Sequence, residues 1–313
     1  GSRGANGVIL VTTKKGKTGR TTINYDGSFS FGFLDSTTDY MNSGQLLDYN
    51  RQSAITGGTY NGRYGDNPDP ERDKALWLNP NNMSYMDKRL EKVYQQNADG
   101  TYSYDPSQLE TTDWGELVTR TAFTHNHQIS LSAGTETSKL YVSLGYLDQK
   151  VPMKDQDFKR YTANINGEII PTKWLKVGMG LNATHSIKNY GIVSNTGAKD
   201  SYGLAMDMMP WVPAYNEDGS ILEVASADDQ AYHNPLRNID DAWNETRYYG
   251  VNFSSYAELD FGQFWEPLKG VKWRTNLGAQ YRNSRVGSYY GEGYTNPFKN
   301  PAMAPNVANN EHS

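Results

Sequence analysis

The sequence has 313 residues, with 30 Lys plus Arg against 35 Asp plus Glu, a formal net charge of -5. That balance argues against a general nucleic-acid binder, which needs a basic face to displace counterions, and leaves room for a local basic patch. The absence of cysteine excludes disulfides, thiolate zinc sites and cysteine nucleophiles.

The chain opens in a glycine-rich turn, Gly1, Gly4 and Gly7, that feeds the apolar run Val8-Ile9-Leu10-Val11. Runs this short exclude a membrane-spanning helix, which needs ~20 apolar residues. They leave a transmembrane β-barrel open, because barrel strands present only every second residue to lipid. The three glycines do not make a dinucleotide fingerprint. Gly16-Lys17-Thr18 is not a phosphate loop, since Val11 stands where its first glycine belongs. With no initiator methionine, no leader, and a Pro/Asn-rich stretch from Asn296 to Asn310, the chain reads as an internal piece of a longer protein.

Period-2 alternation begins at Thr21. Ile23, Tyr25, Phe29, Phe31 and Phe33 alternate with Thr22, Asn24, Asp26, Ser28 and Ser30. Similar runs follow at His127–Ala133, Leu140–Tyr146, Tyr161–Ile169, Leu175–Ala183, Val251–Phe261 and Val271–Tyr281. These predict about seven strands near the ~9–11 residues that cross a bilayer at a tilt. Soluble strands are usually shorter, about 5–6 residues.

Short connections, Gly134–Lys139, Ile170–Trp174 and Gly262–Gly270, alternate with longer ones, Leu34–Thr124, Asp148–Lys159 and His185–Tyr249. Outer-membrane barrels keep this parity, with short periplasmic turns and long outer loops. On that reading the first strand runs outward. Trp174, Phe264 and Trp265 sit in short turns with Phe261 and Trp273 beside them, as an interfacial girdle would. Within the loops, Ser43 is expected to cap a helix over Leu46, Leu47 and Tyr49. Ser84 is expected to cap one over Met86, Leu90, Val93 and Tyr94, and Asp113–Arg120 is a third. Asn97–Gly100 and Asn216–Gly219 read as hairpin turns.

No constellation reads as catalytic, and no cofactor is expected. His125 and His127 share a strand face, but the sequence places no third metal ligand. Glu258 and Asp260 share a polar face and read as hydrated pore residues. The loop aromatics Tyr202, Trp211, Tyr215 and Tyr232 are candidates for stacking on a polar, ring-containing solute.

Residues 1–17, with Ser2, Arg3, Gly4, Ala5, Asn6 and Gly7 at their head, closely resemble the end of the plug domain in SusC/RagA-type TonB-dependent transporters of Bacteroidetes outer membranes. Tyr40–Tyr49, Asp113–His127, Ser130–Glu136, Ser143–Gln149, Phe158–Tyr161 and Trp174–Gly178 resemble the same family in the same order. The resemblance implies an all-β fold, the N-terminal portion of a large antiparallel transmembrane barrel preceded by the last plug strand. Residues 1–19 would be plug end and hinge, with Lys14, Lys15, Lys17 and Arg20 keeping the hinge hydrated. Residues 20–313 would begin the barrel, with large inserts at about 34–124 and 185–249 and short helices in the outer loops.

The resemblance also implies import of oligosaccharides or peptides, not enzymatic activity, at the outer membrane of a Gram-negative bacterium. The implied partners are a SusD-like surface lipoprotein as lid, the TonB–ExbB–ExbD system acting through parts outside this chain, and outer-membrane lipid. A soluble carbohydrate-binding or carbohydrate-degrading β protein is the main competing reading. An adhesive barrel is a further one. The soluble reading accounts for neither the loop parity nor the opening motif, and the adhesive one predicts a barrel without TonB-dependent uptake.

Overall fold

The computed structural model describes residues 14, 16–35, 38–57, 68–71, 89–191, 200–222, 234–240 and 242–290. The opening motif, Ser2 to Gly7, and Tyr232 lie outside them. The strands are β1 (Gly19–Gly32), β2 (Tyr94–Gln96), β3 (Tyr102–Tyr104), β4 (Ala122–Gly134), β5 (Ser138–Lys150), β6 (Gln156–Thr172), β7 (Leu175–Tyr190), β8 (Ala242–Asp260) and β9 (Lys272–Tyr290). Seven form one sheet in the order β1-β4-β5-β6-β7-β8-β9. Every pairing in it is antiparallel. These are the seven alternating runs of the sequence. β2 and β3 form a separate hairpin inside the first insert.

The register makes the alternation cumulative. Leu131, Val142, Ile165, Leu181, Phe253 and Ala279 face one another in one row across six strands. The adjacent row is Ser130, Ser143, Asn164, Asn182, Asn252 and Gln280, pointing the other way. One face is therefore apolar and the other polar over the whole wall. Ile23, Phe29 and Leu277 on the apolar face are 66%, 64% and 64% exposed. A contiguous apolar surface on this scale belongs against lipid or another apolar body rather than water.

Two aromatic margins bound the apolar band. At the loop end, ring centroids lie 5.1 Å apart for Phe31–Phe123, 5.0 Å for Tyr146–Tyr161 and 4.2 Å for His185–Tyr249. At the short-turn end Trp174 meets Phe264 at 5.0 Å, beside exposed Trp265 and Trp273. Past the loop-side margin the same face turns charged, with Asp148 opposite Lys159 and Arg247 opposite Arg285.

The band is also staggered. The row through the Gly134↔Lys139 turn runs through Glu168, Gly178 and Tyr256 to Asn276. The β8–β9 ladder continues beyond Tyr256 to Asp260. That is four residues over four strands. One residue per strand is about 3.3 Å along for about 4.8 Å across, a tilt of roughly 35°. Outer-membrane strands tilt about 35–45°. From Leu175 to His185 on β7 the band runs about 33 Å along the strand, or about 27 Å along the membrane normal at that tilt. The apolar band of such barrels is about 25 Å tall.

Several strands outrun their apolar alternation. β8 and β9 reach 19 residues each, and the β5–β6 connection, expected to be long, shrinks to residues 151–155. Above the aromatic margin the apolar face gains charge while the other face mixes Phe158 and Val286 with Gln149, Lys188 and Thr246, so the period-2 signal fades while pairing continues. Lys150 and Asp157, 3.0 Å apart, hold the last rung there.

The α-helices that lie wholly within the described residues are α1 (Ser43–Thr56), α2 (Trp114–Val118), α3 (Ser201–Asp207) and α4 (Leu236–Asp240). Asn42, not Ser43, caps α1 in a capping box with Gln45. The Ser43 hydroxyl instead donates to the Glu110 carbonyl at 2.8 Å. Asp113 caps α2 at the third expected helix. Ser84 and Met86 lie outside the described residues. Downstream of them Leu90 is helical as expected, whereas Val93 is in a turn and Tyr94 begins β2, because the Asn97–Gly100 turn draws that segment into a hairpin. Asn216–Gly219 is the other hairpin turn, closed by the Tyr215↔Ile221 bridge. In neighbouring turns the hydroxyls of Ser107 and Ser220 hold the carboxyls of Asp105 and Asp218 below the usual carboxylate range.

The hydrophobic core lies in these inserts. Leu47, Val93, Trp114 and Val118 from the first pack with Ala205, Met208, Trp211 and Leu236 from the second. Both stand on the β5–β6 turn. The Lys154 amide donates to the Val118 carbonyl at 3.0 Å, the Arg120 guanidinium to the carbonyls of Val151 and Gln156 at 3.2 and 2.7 Å, and the Ser201 hydroxyl to Asp155 at 2.5 Å.

Ile165 lies midway between Tyr161 and Ile169 on the apolar face of β6. Ile165→Arg is expected to destabilise the barrel by about 2–4 kcal/mol in lipid, the cost of arginine at the bilayer midplane. Asn182→Arg, on the polar face, is expected to cost well under that. Urea unfolding of the full-length protein in vesicles measures both. Equal effects would mean that the faces are wrongly assigned.

Candidate functional site

The polar face is built from amides, hydroxyls and a few charges. Asn24 continues the asparagine row onto β1 opposite Ser130. The Asn164 amide donates to the Ser143 hydroxyl at 3.2 Å. Such a surface offers donors and acceptors without fixed charge, so it wets readily and holds a polar solute weakly.

Charge concentrates toward the short turns. The Glu168 side chain is only 8% exposed and meets the ammonium groups of Lys176 at 3.1 Å and Lys139 at 4.0 Å. The Tyr256 hydroxyl also donates to it, at 2.5 Å, from two strands away. That reach depends on Gly178, which lies between them in the same row. The Tyr256 ring occupies the space where a Cβ on residue 178 would stand. The Arg274 guanidinium covers the ring at 3.8 Å from its centroid. Glu258 and Asp260 are on this face, as expected. They are ion-paired: Lys272 lies 3.6 Å from Glu258 and 3.9 Å from Asp260, and Arg274 lies 3.8 Å from Glu258.

The chain entering β1 lies against the β4–β5 hairpin. The Lys17 amide donates to the Ser132 hydroxyl at 3.1 Å. Gly16 is buried there, and any Cβ on it would run into the backbone of Leu140. A glycine is required by that close approach.

A cavity of about 650 Å³ opens between the two inserts. Its floor includes Trp114, Met206, Met208 and Met209, and Asp39, Asp113, Glu116 and Asp207 also line it. Among its described lining residues there is no Lys, Arg or His.

The loop aromatics named from sequence do not converge. Tyr202 is half-buried on the cavity wall. Trp211 is 3% exposed inside the loop core, and its carbonyl accepts from Arg89 at 2.6 Å, so its ring offers no open stacking face. Tyr215 is 46% exposed at the Asn216–Gly219 turn. The sequence reading missed the cavity because its residues come from positions 34–46, 111–119 and 202–210. The one local signal was the run of methionines at 206, 208 and 209. His125 and His127 contact each other at 3.1 Å, and the Tyr25 hydroxyl lies 2.6 Å from His127. They belong to the aromatic margin of the apolar face. No cluster of three ligand-type side chains occurs among the described residues.

Replacing Gly178 with valine is expected to push Tyr256 off Glu168. Tyr256→Phe should remove the same hydrogen bond while keeping the ring. Each is expected to cost about 1.5–3 kcal/mol, the worth of a hydrogen bond to a charged group, in denaturant unfolding of the full-length protein. Wild-type stability in both variants would show that the contact carries no weight.

No family model matches the chain. Among curated proteins it is 25% identical over 295 residues to the "TonB-dependent receptor P3" of Formosa agariphila, covering 92% of this chain and 24% of that protein. It is 29% identical over 225 residues to the "TonB-dependent receptor SusC" of Bacteroides thetaiotaomicron, covering 70% of this chain and 17% of that protein. The chain thus spans about a quarter or less of the length of these relatives. Among solved structures, the RagAB peptide importer in its closed-closed state matches with a TM-score of 0.63 at 22% identity, covering 92% of this chain and 31% of that one. Its open-open state matches with a TM-score of 0.64 at 22% identity, covering 92% and 30%. The fold expected from the alternation, part of an antiparallel barrel wall with short helices in its loops, is the fold observed.

Proposed function

Because the chain is a SusC/RagA-like TonB-dependent transporter segment, we propose that it builds one wall of an outer-membrane importer for oligosaccharides or peptides. The observation that carries this reading is the two-faced wall. An uncharged apolar band of bilayer height lies on one side and a hydrated, hydrogen-bonding surface on the other. A soluble carbohydrate-binding protein would have no use for Ile23, Phe29 and Leu277 more than half exposed in one band.

In this reading the apolar face meets outer-membrane lipid and the polar face lines the lumen. Residues 1–19 are the plug end and hinge, and residues 20–313 begin the barrel. The hinge rests on the β4–β5 hairpin through Gly16 and Lys17. Energy arrives through the TonB–ExbB–ExbD system, acting on parts of the protein outside this chain. A SusD-like surface lipoprotein closes the loop side. The chain performs no chemistry on its cargo. It binds the solute, offers it a succession of amide and hydroxyl partners, and excludes it from lipid.

The test is isolation of the full-length protein from native membranes in mild detergent, with uptake measured in the same cells. The expected result is a species in the outer-membrane fraction that co-purifies with a surface lipoprotein. Uptake of a labelled oligosaccharide or peptide should be abolished by loss of TonB. A water-soluble species, or uptake indifferent to TonB, would overturn the reading.

A further inference from the structure

We propose that the outward face just above the loop-side aromatic margin holds the phosphorylated sugar headgroup of an outer-leaflet lipid, its phosphate clamped between Arg247 and Arg285. This rests on the importer reading, in which that face meets the outer membrane, and names the class of lipid it selects.

The first observation is charge. Arg247 and Arg285 stand directly opposite each other on β8 and β9, and both are exposed. Opposed residues of an antiparallel pair have Cβ atoms about 4.5–5.5 Å apart, and like charges placed so repel. Their row runs Asp148, Lys159, Ile187, Arg247 and Arg285, three cations against one carboxylate. Asp148 lies at the far end of it, 3.9 Å from Lys159. In the next row Lys150 and Asp157 satisfy each other at 3.0 Å. Glu245 takes only the Nε of Arg247, at 2.5 Å. The Arg285 side chain has no hydrogen bond or ion pair among the described residues. A positive charge is thus left over where two guanidinium groups meet. Phosphate accepts paired hydrogen bonds from guanidinium groups, and between these two it would turn a repulsion into a bridge.

The second observation is height. Arg247 lies two residues nearer the loops than Tyr249, whose ring stacks on His185 in the aromatic margin. Two residues are about 6.6 Å along the strand, or about 5 Å along the membrane normal at the tilt of this sheet. Aromatic margins lie at the headgroup level of a bilayer, so the arginines stand among lipid phosphates rather than acyl chains. The third observation is the pair of rings above them. Trp243 and Tyr289 oppose each other four residues beyond the arginines on the same face. Both are exposed, stacked with centroids 6.3 Å apart. Such rings are broad apolar surfaces on which the C–H face of a sugar packs. A zwitterionic phospholipid is a poorer fit, because it brings its own cation to a cationic row. A second copy of the chain, meeting this patch about a twofold axis, would set arginines against arginines.

The test uses the full-length protein in detergent, stripped of lipid, and native mass spectrometry with three probes. They are diphosphoryl lipid A, the same lipid with its phosphates removed, and inorganic phosphate. Diphosphoryl lipid A is expected to bind at least about tenfold more tightly than the dephosphorylated form, which lacks the charge-assisted hydrogen bonds. Inorganic phosphate at equal concentration is expected not to displace it. Arg285→Gln is expected to lose about tenfold in affinity for diphosphoryl lipid A. Arg282→Gln, on the polar face opposite Gly250, is expected to keep wild-type affinity. Thermal unfolding of the same samples separates binding from folding. Without lipid, Arg285→Gln is expected to be at least as stable as the wild type, because the repulsion is relieved. Diphosphoryl lipid A is expected to raise the wild-type midpoint more than that of the variant. Equal binding of the two lipid forms, an unchanged affinity in Arg285→Gln, or an equal loss in Arg282→Gln would overturn the proposal. So would a lipid-free Arg285→Gln less stable than the wild type, which marks a structural arginine. Displacement by inorganic phosphate, which marks a free-anion site, would overturn it too, as would a dimer that Arg285→Gln splits into monomers. The importer reading fails separately, if uptake proves independent of TonB.

Discussion

Everything in the wall depends on register. In an antiparallel sheet, directly opposed residues share a face, so two alternating strands reinforce each other only when paired in phase. Here six successive pairings are in phase. A slip of one residue in any of them would put asparagines into the apolar band and isoleucines onto the polar face. Short turns pin four hairpins, β4–β5, β5–β6, β6–β7 and β8–β9. The loop core helps to pin β1–β4 and β7–β8, because both large inserts are tied to the β5–β6 turn. The same register carries the stagger of one residue per strand, and with it the tilt that brings the apolar band to bilayer height.

The two ends of the wall do different physical work. Toward the short turns, a nearly buried glutamate is shared by two lysines and a tyrosine that crosses a glycine to reach it. This cluster ties β5, β6, β7 and β8 together close to the point where the preceding chain rests on the β4–β5 hairpin. Toward the loops, stability comes from ordinary apolar packing. The inserts therefore form a preformed shelf above the wall rather than a set of independent loops. On the importer reading, solute would meet this rigid surface before it meets the polar face.

Much of this was legible in the sequence because period 2 is a direct imprint of a sheet with unlike faces. Ile23 to Phe33 and Leu175 to Ala183 announce their strands without help from any partner. The signal ended where the faces became alike. Residues such as Lys150, Asp157, Glu245 and Arg247 continue the ladder with charge on the face that is apolar lower down, and local pattern cannot separate them from loop. The cap at Asn42 was displaced by one residue because Ser43 is an equally good capping type. Its hydroxyl was drawn to Glu110 by a contact between distant segments. Tyr94 satisfied helical spacing but was claimed by the turn after it. The cavity between the inserts was illegible for a simpler reason. It is assembled from three stretches that meet only when both inserts fold onto one turn. Trp211 was misleading as a stacking candidate because the same packing consumes its ring.

The most direct test of the account is the environment of two neighbouring residues on β6. Ile165→Cys and Asn164→Cys would each be spin-labelled in the full-length protein in lipid vesicles, taking advantage of a wall that contains no cysteine of its own. Collision rates with oxygen, which concentrates in lipid, and with a water-soluble nickel chelate would then be measured at each site. The account predicts oxygen contact at 165 and nickel contact at 164. Equal accessibility at the two positions, or the reverse order, would contradict it.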